Sequence, residues 1–359
     1  MSAGACNVMC FEGSPWDVGY AQGLAVKDTL RGNNEEYIGG MARAGLLDTA
    51  QMRREAMPWF ATVAPRYREE LDGIARGAGI PPSKMIEWLY GSCYAVTGGD
   101  VMGAPGTISG GCTSVIASIA GRTWIAHNND WHDFGSHRWT SAIVRHVEGR
   151  IPNLVFGLQG DVTAVVGVNR ERLWLNMNGF FANDEHRPHT PVIPYPLVIR
   201  EALETCRSIG DVEDLLRECD RDAGTAIYAV DGKTGEVAVI ECGFGTYIRR
   251  DPVKSKTVVS CSRDLSIREV QDDEAVLPDA LIFGSNTRER IARLRELLAA
   301  PMTDPPGDLI RVVADPGVEA SDTLYSNVAC PETGELWFGS GGLPAASAGT
   351  WCRVGWPWN

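Results

Sequence analysis

No run of apolar residues in this 359-residue chain approaches the roughly 18 needed to cross a bilayer, so no membrane-spanning helix is expected. The first residues, Met1-Ser-Ala-Gly-Ala-Cys6, hold neither a basic stretch nor an apolar one. Cys6 is therefore not read as part of a secretion or lipoprotein signal, and a cytoplasmic location is expected. Cations are outnumbered, with 33 Lys and Arg against 46 Asp and Glu and a net charge of -13. That balance argues against nucleic acid or a membrane surface as the main partner, because both need clustered Lys and Arg. The ten cysteines include no CxxC pair, which argues against a zinc ribbon, and most are expected to be small buried thiols in reducing surroundings. Histidine is scarce, at six residues. His127, His132 and His137 recur every five positions, a step that spreads ligands around a helix or across a strand, so no metal is expected.

What is present is ordinary globular composition, 44% hydrophobic and 22% charged, enough for a sizeable core. The first third reads helical. Ser14-Pro15-Trp16-Asp17 opens a helix expected to reach about Leu30, a second amphipathic helix ends at Gly79-Ile80-Pro81-Pro82, and a short one spans Met85 to Tyr90. A Gly-rich loop over 97–111 then leads directly into Cys112. Beyond it the period shortens to that of strands, at 113–119, 123–127, 141–147, 154–158, 164–168 and 173–178, read as an antiparallel meander. Helices are expected over 197–206 and from 212 to 219. A hairpin follows at 226–230 and 236–242, then a strand at 257–262, a helix opened by Asn286 with Ile291, Leu294, Leu297 and Leu298 inward, and a last hairpin at 323–330 and 335–339. Strand blocks separated by helix blocks imply an α+β layered fold.

The residue types that carry chemistry gather at Gly110-Gly111-Cys112-Thr113-Ser114. A phosphate-cradling loop would need a following Gly-Lys-Ser/Thr and a helix, and neither is there. From the residues alone two readings of Cys112 stay open, a small cysteine beginning a buried strand or a nucleophile. Asp130, in Asn128-Asn129-Asp130-Trp131, reads from the residues alone as a turn or capping carboxylate. Trp131, Phe134, Phe180 and Phe181 suit a core or an apolar acyl pocket.

The Gly-Cys-Thr junction with its Asn-x-Asp-Trp segment resembles the isopenicillin N acyltransferase-like family of self-processing N-terminal nucleophile hydrolases. The likeness runs along nearly the whole chain. Glu12-Gly13-Ser14 with Gly19 and Gly23 is similar to the family's helix entry, Glu70 to Gly79 to its E-x-x-G-I-A-x-G-x-G segment, and Leu175-Asn176-Met177-Asn178-Gly179 to its V-N-x-N stretch.

The resemblance implies a four-layer αββα sandwich of two antiparallel sheets between helical layers. It also implies self-cleavage between Gly111 and Cys112, giving an N-terminal helical segment, 1–111, that stays associated with a catalytic core, 112–359. Cys112 is then the nucleophile, its new α-amine the general base, Asp130 the group that orients that amine, and Asn178 an oxyanion donor. The expected activity is cysteine amidohydrolysis of a small N-acyl amide through an acyl-enzyme, without a cofactor. The alternatives are an acyltransferase that moves an acyl group from a thioester, such as one of coenzyme A, to an amine, and a catalytically weak, unprocessed metabolite-binding relative. Trp131 and Phe180 are expected substrate contacts. One departure stands out: where the family carries Thr-Asn-His this chain has Cys261-Ser262-Arg263. Ser262 is a shorter donor than Asn, and Arg263 is suited to an anion.

Overall fold

The computed structural model describes residues 8–93, 112–179, 192–222, 224–251, 258–261 and 287–358. The chain opens with strand β1 (Val8–Gly13) and helices α1 (Pro15–Ala25), α2 (Lys27–Arg43), α3 (Thr49–Phe60), α4 (Pro65–Ala78) and α5 (Pro82–Cys93). Ser14 and Asp17 form a reciprocal capping box at α1, each satisfying a backbone N–H of the other. The helix expected to reach Leu30 instead ends at Ala25, because Val26 leaves the helical region (φ -115°, ψ 12°) and α2 starts anew. Lys27 and Asp28 continue a helix-forming composition, so the residue pattern carries no mark of this break. Helix α4 ends as expected at Gly79, which takes a left-handed conformation (φ 67°) that glycine adopts without strain.

After Cys112 come β2 (Thr113–Ile119), β3 (Arg122–Asp130), β4 (Thr140–Val147), β5 (Asn153–Leu158), β6 (Val166–Asn169) and β7 (Leu173–Gly179). The next elements are β8 (Val192–Ile193), α6 (Val198–Thr205), α7 (Ile209–Glu218), β9 (Asp220–Arg221), β10 (Thr225–Asp231), β11 (Glu236–Cys242), β12 (Tyr247–Arg250) and β13 (Val258–Cys261). Ser208 caps α7, which therefore starts three residues before the expected position, and Asp211 closes the capping box. The chain finishes with α8 (Thr287–Leu298), α9 (Pro305–Val313), β14 (Thr323–Cys330), β15 (Glu335–Ser340), α10 (Ala345–Ala348) and β16 (Thr350–Val354).

The strands form two main sheets. One has eight strands in the order β1-β4-β5-β6-β7-β10-β11-β12, antiparallel except for β1, which runs parallel to β4. The other has six, β13-β2-β3-β14-β15-β16, all antiparallel. The expected single meander is thus divided, with β2 and β3 in the six-stranded sheet and β4 to β7 in the eight-stranded one. Both sheets bury one face against the other, so alternation alone does not reveal which sheet a strand joins.

Four layers result. Ile116, Ile125, Phe156, Trp174, Val239 and Phe338 fill the space between the sheets. The outer face of the eight-stranded sheet packs Leu175, Ile227 and Ile240 on Ile199, Leu203 and Val212 of α6 and α7. The outer face of the six-stranded sheet packs Val115, Trp124 and Val328 on Leu294, Leu309 and Val313 of α8 and α9. The fold is therefore α+β, two mainly antiparallel sheets between helical layers. Among the described cysteines, Cys10, Cys112, Cys206, Cys219, Cys242 and Cys330 are free thiols. Cys352 is disulfide-bonded, a departure from the expected reduced state.

Helices α2 to α5 form their own apolar cluster, while α1 packs Val18 on Ile143 and Val147 of the eight-stranded sheet and α4 reaches that sheet through Glu70. The motif glycines explain how those two helices meet. A Cβ on Gly19 would lie 2.0 Å from the Glu70 carbonyl oxygen, and one on Gly77 2.2 Å from that of Tyr20. The backbones touch, which only glycine permits.

Beneath this contact sits a buried ionic network. Glu70 of α4 accepts hydrogen bonds from Arg200 of α6 (Nη1 3.3 Å, Nη2 2.7 Å) and lies 3.1 Å from Arg145 Nε of β4. Arg200 Nε also donates to Glu204 (2.6 Å), and Arg145 Nη2 donates to the Asp161 carbonyl (2.7 Å). All four charged side chains are at most 2% exposed. Removing one partner of such a set strands the others without solvent. Glu70→Gln is expected to cost about 3 to 5 kcal/mol in urea unfolding. Arg138→Gln, which breaks an exposed pair with Glu36, should cost no more than about 1 kcal/mol.

Candidate active site

Alternation along β2 sets the geometry around Cys112. Ser114 and Ile116 point between the sheets, as does Cys112, while Thr113 and Val115 point toward α8 and α9. Cys112 is buried (8% exposed), with its Sγ 3.8 Å from Asn129 Nδ2 and 4.0 Å from the Asp130 carbonyl oxygen. Burial, and then the negative charge of Asp130, push the thiol up to about 12, with Arg290 working weakly the other way. In the uncut chain the thiol is therefore protonated at neutral pH, and attack requires a base to take its proton.

Asp130 ends β3 with its side chain turned to the helical layer. Arg290 of α8 brings Nη1 and Nη2 each to 3.2 Å from Asp130 Oδ2, and its Nη1 also donates to Thr113 Oγ1 (2.9 Å). Thr323 Oγ1 donates to Asp130 Oδ1 at 2.5 Å. Both carboxylate oxygens are thus engaged, and the pair is buried, Arg290 at 2% and Asp130 at 3%. Reading the sequence did not single out Arg290. The signal was there: 290, 294, 297 and 298 share one helical face, so an arginine stands in line with three leucines expected to be buried.

Asn178 comes from the facing sheet, at the end of β7. Its Nδ2 donates to the Cys112 carbonyl oxygen (3.2 Å), and its Oδ1 accepts from Ser114 Oγ (2.9 Å). Asn176 Nδ2 donates to the same hydroxyl (2.9 Å), and Trp174 Nε1 donates to Asn176 Oδ1 (3.1 Å). A continuous run of hydrogen bonds thereby crosses the gap between the sheets and fixes the Asn178 amide beside Cys112. The structure brings Cys112, Asp130 and Asn178 together, with Asn129, Arg290, Ser114 and Thr323 as neighbours to which sequence reasoning gave no role.

Trp131 is half-buried, donates from Nε1 to Tyr37 Oη (2.9 Å), and packs between the helical cluster and the inter-sheet core. Phe134 meets Tyr37 edge to face, with centroids 6.0 Å apart. Both aromatics therefore tie α2 to the segment after Asp130. Gly111, Phe180, Phe181, Ser262 and Arg263 lie outside the described residues.

His127 faces the inter-sheet gap, and neither ring nitrogen makes an aligned hydrogen bond, although the Met177 carbonyl is near. Asn327, opposite it in register on β14, has both amide atoms in the same state. Among the described residues no group of three His, Cys, Asp or Glu is placed to hold a metal.

Burial pushes His127 down to about 3. The unfolded chain takes up a proton there below about pH 6.5 and the folded chain does not, so acidification through this window weakens the fold by about 1.4 kcal/mol per unit. The pH dependence of urea stability between pH 6.5 and 4 is expected to be flatter in His127→Gln than in the wild type.

No family signature matches the chain, and no curated protein matches it. Solved structures similar to it include an N-acylethanolamine-hydrolyzing acid amidase ortholog from Caenorhabditis elegans, at 16% identity over 62% of this chain and 93% of that one, with a TM-score of 0.46. Penicillin V acylase from Agrobacterium tumefaciens is similar at 14% identity over 64% of this chain and 82% of that one, TM-score 0.45. A mutant of conjugated bile acid hydrolase from Clostridium perfringens is similar at 14% identity over 64% of this chain and 89% of that one, TM-score 0.44.

Proposed function

We propose that the chain is a self-processing cysteine amidohydrolase of the isopenicillin N acyltransferase-like kind, acting on a small N-acyl amide. The observation that carries this reading is the convergence on one buried residue, Cys112, of Asp130, whose carboxylate is held by Arg290 and whose carbonyl oxygen lies 4.0 Å from the thiol, and of the Asn178 amide, which is held by Ser114 and donates to the Cys112 carbonyl oxygen. In the first step Cys112 Sγ attacks the Gly111 carbonyl carbon, the C–N bond breaks as the acyl group passes from nitrogen to sulfur, and the thiol proton ends on the released Cys112 nitrogen. Water then hydrolyses that thioester, leaving a carboxylate on Gly111 and a free α-amine on Cys112.

The α-amine, with an ordinary pKa near 8, takes the thiol proton that burial otherwise holds in place. Asp130 supplies the negative charge that retains the protonated amine. The thiolate adds to the substrate carbonyl, and Asn178 Nδ2 stabilises the oxyanion. The proton passes from the α-ammonium to the departing amine, and water resolves the acyl-enzyme to a carboxylic acid. The two pieces stay together through β1, paired with β4, and through Glu70, bonded to Arg200 and beside Arg145.

Intact mass of the denatured wild type beside Cys112→Ala tests the first step. Two fragments meeting at Gly111 and Cys112 in the wild type, with one uncut chain in the variant, are expected, and an uncut wild type would sink the mechanism. In the second step Asn178→Ala is expected to lower kcat by about 100- to 1,000-fold, as loss of an oxyanion donor does, with KM little changed.

A further inference from the structure

The inward face of the eight-stranded sheet is apolar along most of its length, through Trp174, Val230, Val237 and Val239. Its last cross-strand row differs. Pairing across β7, β10, β11 and β12 aligns Asn178, Ala226, Glu241 and Ile248, and directly opposed residues share a face. Glu241 is 6% exposed. It accepts a hydrogen bond from Arg250 Nη2, which reaches forward from the next row, opposite Val239.

The neighbouring arginine shows what is unusual here. Arg249 turns to the other face and is saturated by Glu213, Glu236 and Asp251. Arg250 makes only the Glu241 bond among the described residues, so most of its five N–H donors are unspent, and its side chain is 26% exposed. Burial pushes the Glu241 carboxyl up to about 7 despite that guanidinium, so it can take a proton when a second anion arrives. Between Asn178 and Glu241 the row holds only the methyl of Ala226, across two strand spacings of about 4.8 Å each.

We infer that Arg250, held in place by Glu241, determines substrate specificity at the Cys112 centre by binding a carboxylate group of the substrate. The guanidinium fork matches a carboxylate in two parallel hydrogen bonds, and no bulky side chain separates it from the oxyanion donor along the row. The inference rests on the reading of Cys112 as the nucleophile.

The test uses the full chain and two matched probe pairs. Octanoyl anilide is compared with the monoanilide of octanedioic acid, which puts a carboxylate on the acyl arm, and with 4-(octanoylamino)benzoate, which puts one on the amine arm. The wild type is expected to favour the carboxylate member of one pair by about tenfold or more in kcat/KM, through KM, as a charge-assisted hydrogen bond would give. Arg250→Met should bring that ratio to about one, while Arg250→Lys and Glu241→Gln should leave it intermediate. The neutral probe is the reference in each variant, so a general loss of activity cancels. If Arg250→Met does not fold, the other two variants decide, and an unchanged ratio in both overturns the inference. Acylation of Cys112 by the neutral probe without carboxylate preference, or a preference that survives Arg250→Met, overturns this inference alone. No acyl-enzyme with any probe overturns the amidase reading and the inference with it.

Discussion

The contact on which the arrangement depends is the buried ionic network centred on Glu70. Moving each of these charges out of water costs several kcal/mol, and the attraction between them offsets this only when every partner is present in good geometry. Glu70 lies before residue 112 in sequence, whereas Arg145, Arg200 and Glu204 lie after it. The network therefore tests whether the early helices sit correctly on the eight-stranded sheet, which nonpolar packing alone specifies loosely. The glycine contacts of α1 and α4 serve the same end, since they bring the Glu70 backbone against α1 and leave its side chain facing the sheet.

A second constraint runs between the sheets. Along the inward face of the six-stranded sheet, the row Ile116, Ile125, Ala329 and Leu336 is apolar, the next holds Ser114, His127 and Asn327, and the last holds Asn129 and Tyr325 beside Cys112. The facing sheet answers with Asn176 and Asn178. The core thus becomes polar toward one end, and the thiol sits at that end, buried enough to be held neutral and bordered by the Asn129 amide.

Much of this was legible in the residues, for identifiable reasons. Strand periods gave β2, β3, β4, β5 and β7 to within a few residues, because alternation between faces is a property of one strand. The assignment of those strands to two sheets is a property of pairs and was not visible. Strand β1 escaped because a parallel edge strand needs a distant partner, β4, to exist at all. The break at Val26 and the two helices α2 and α3 escaped because tertiary packing, not propensity, ends and starts them. The Cys112 to Asp130 interval was legible through the family pattern, and the short hairpin that joins β2 to β3 fixes the distance. Arg290, 160 residues from Asp130, depends on the whole six-stranded sheet being assembled first.

Under the proposed mechanism the charges around Cys112 bear on how the centre is switched on. Asp130 is already balanced by Arg290, and the thiol is held protonated by burial, so among the described residues neither of these two groups offers a ready base. His127, the histidine of β3, faces the inter-sheet core and is kept neutral with a depressed basicity that leaves it a poor proton acceptor. Under the proposed mechanism the missing base is made by the chain itself, when the peptide nitrogen of Cys112 becomes an amine. That amine is tied covalently to the residue it activates, and it exists only after cleavage. Under that mechanism the buried thiol stays protonated toward substrate amides until then, which would make burial of Cys112 a safeguard as well as a source of the barrier that cleavage must overcome.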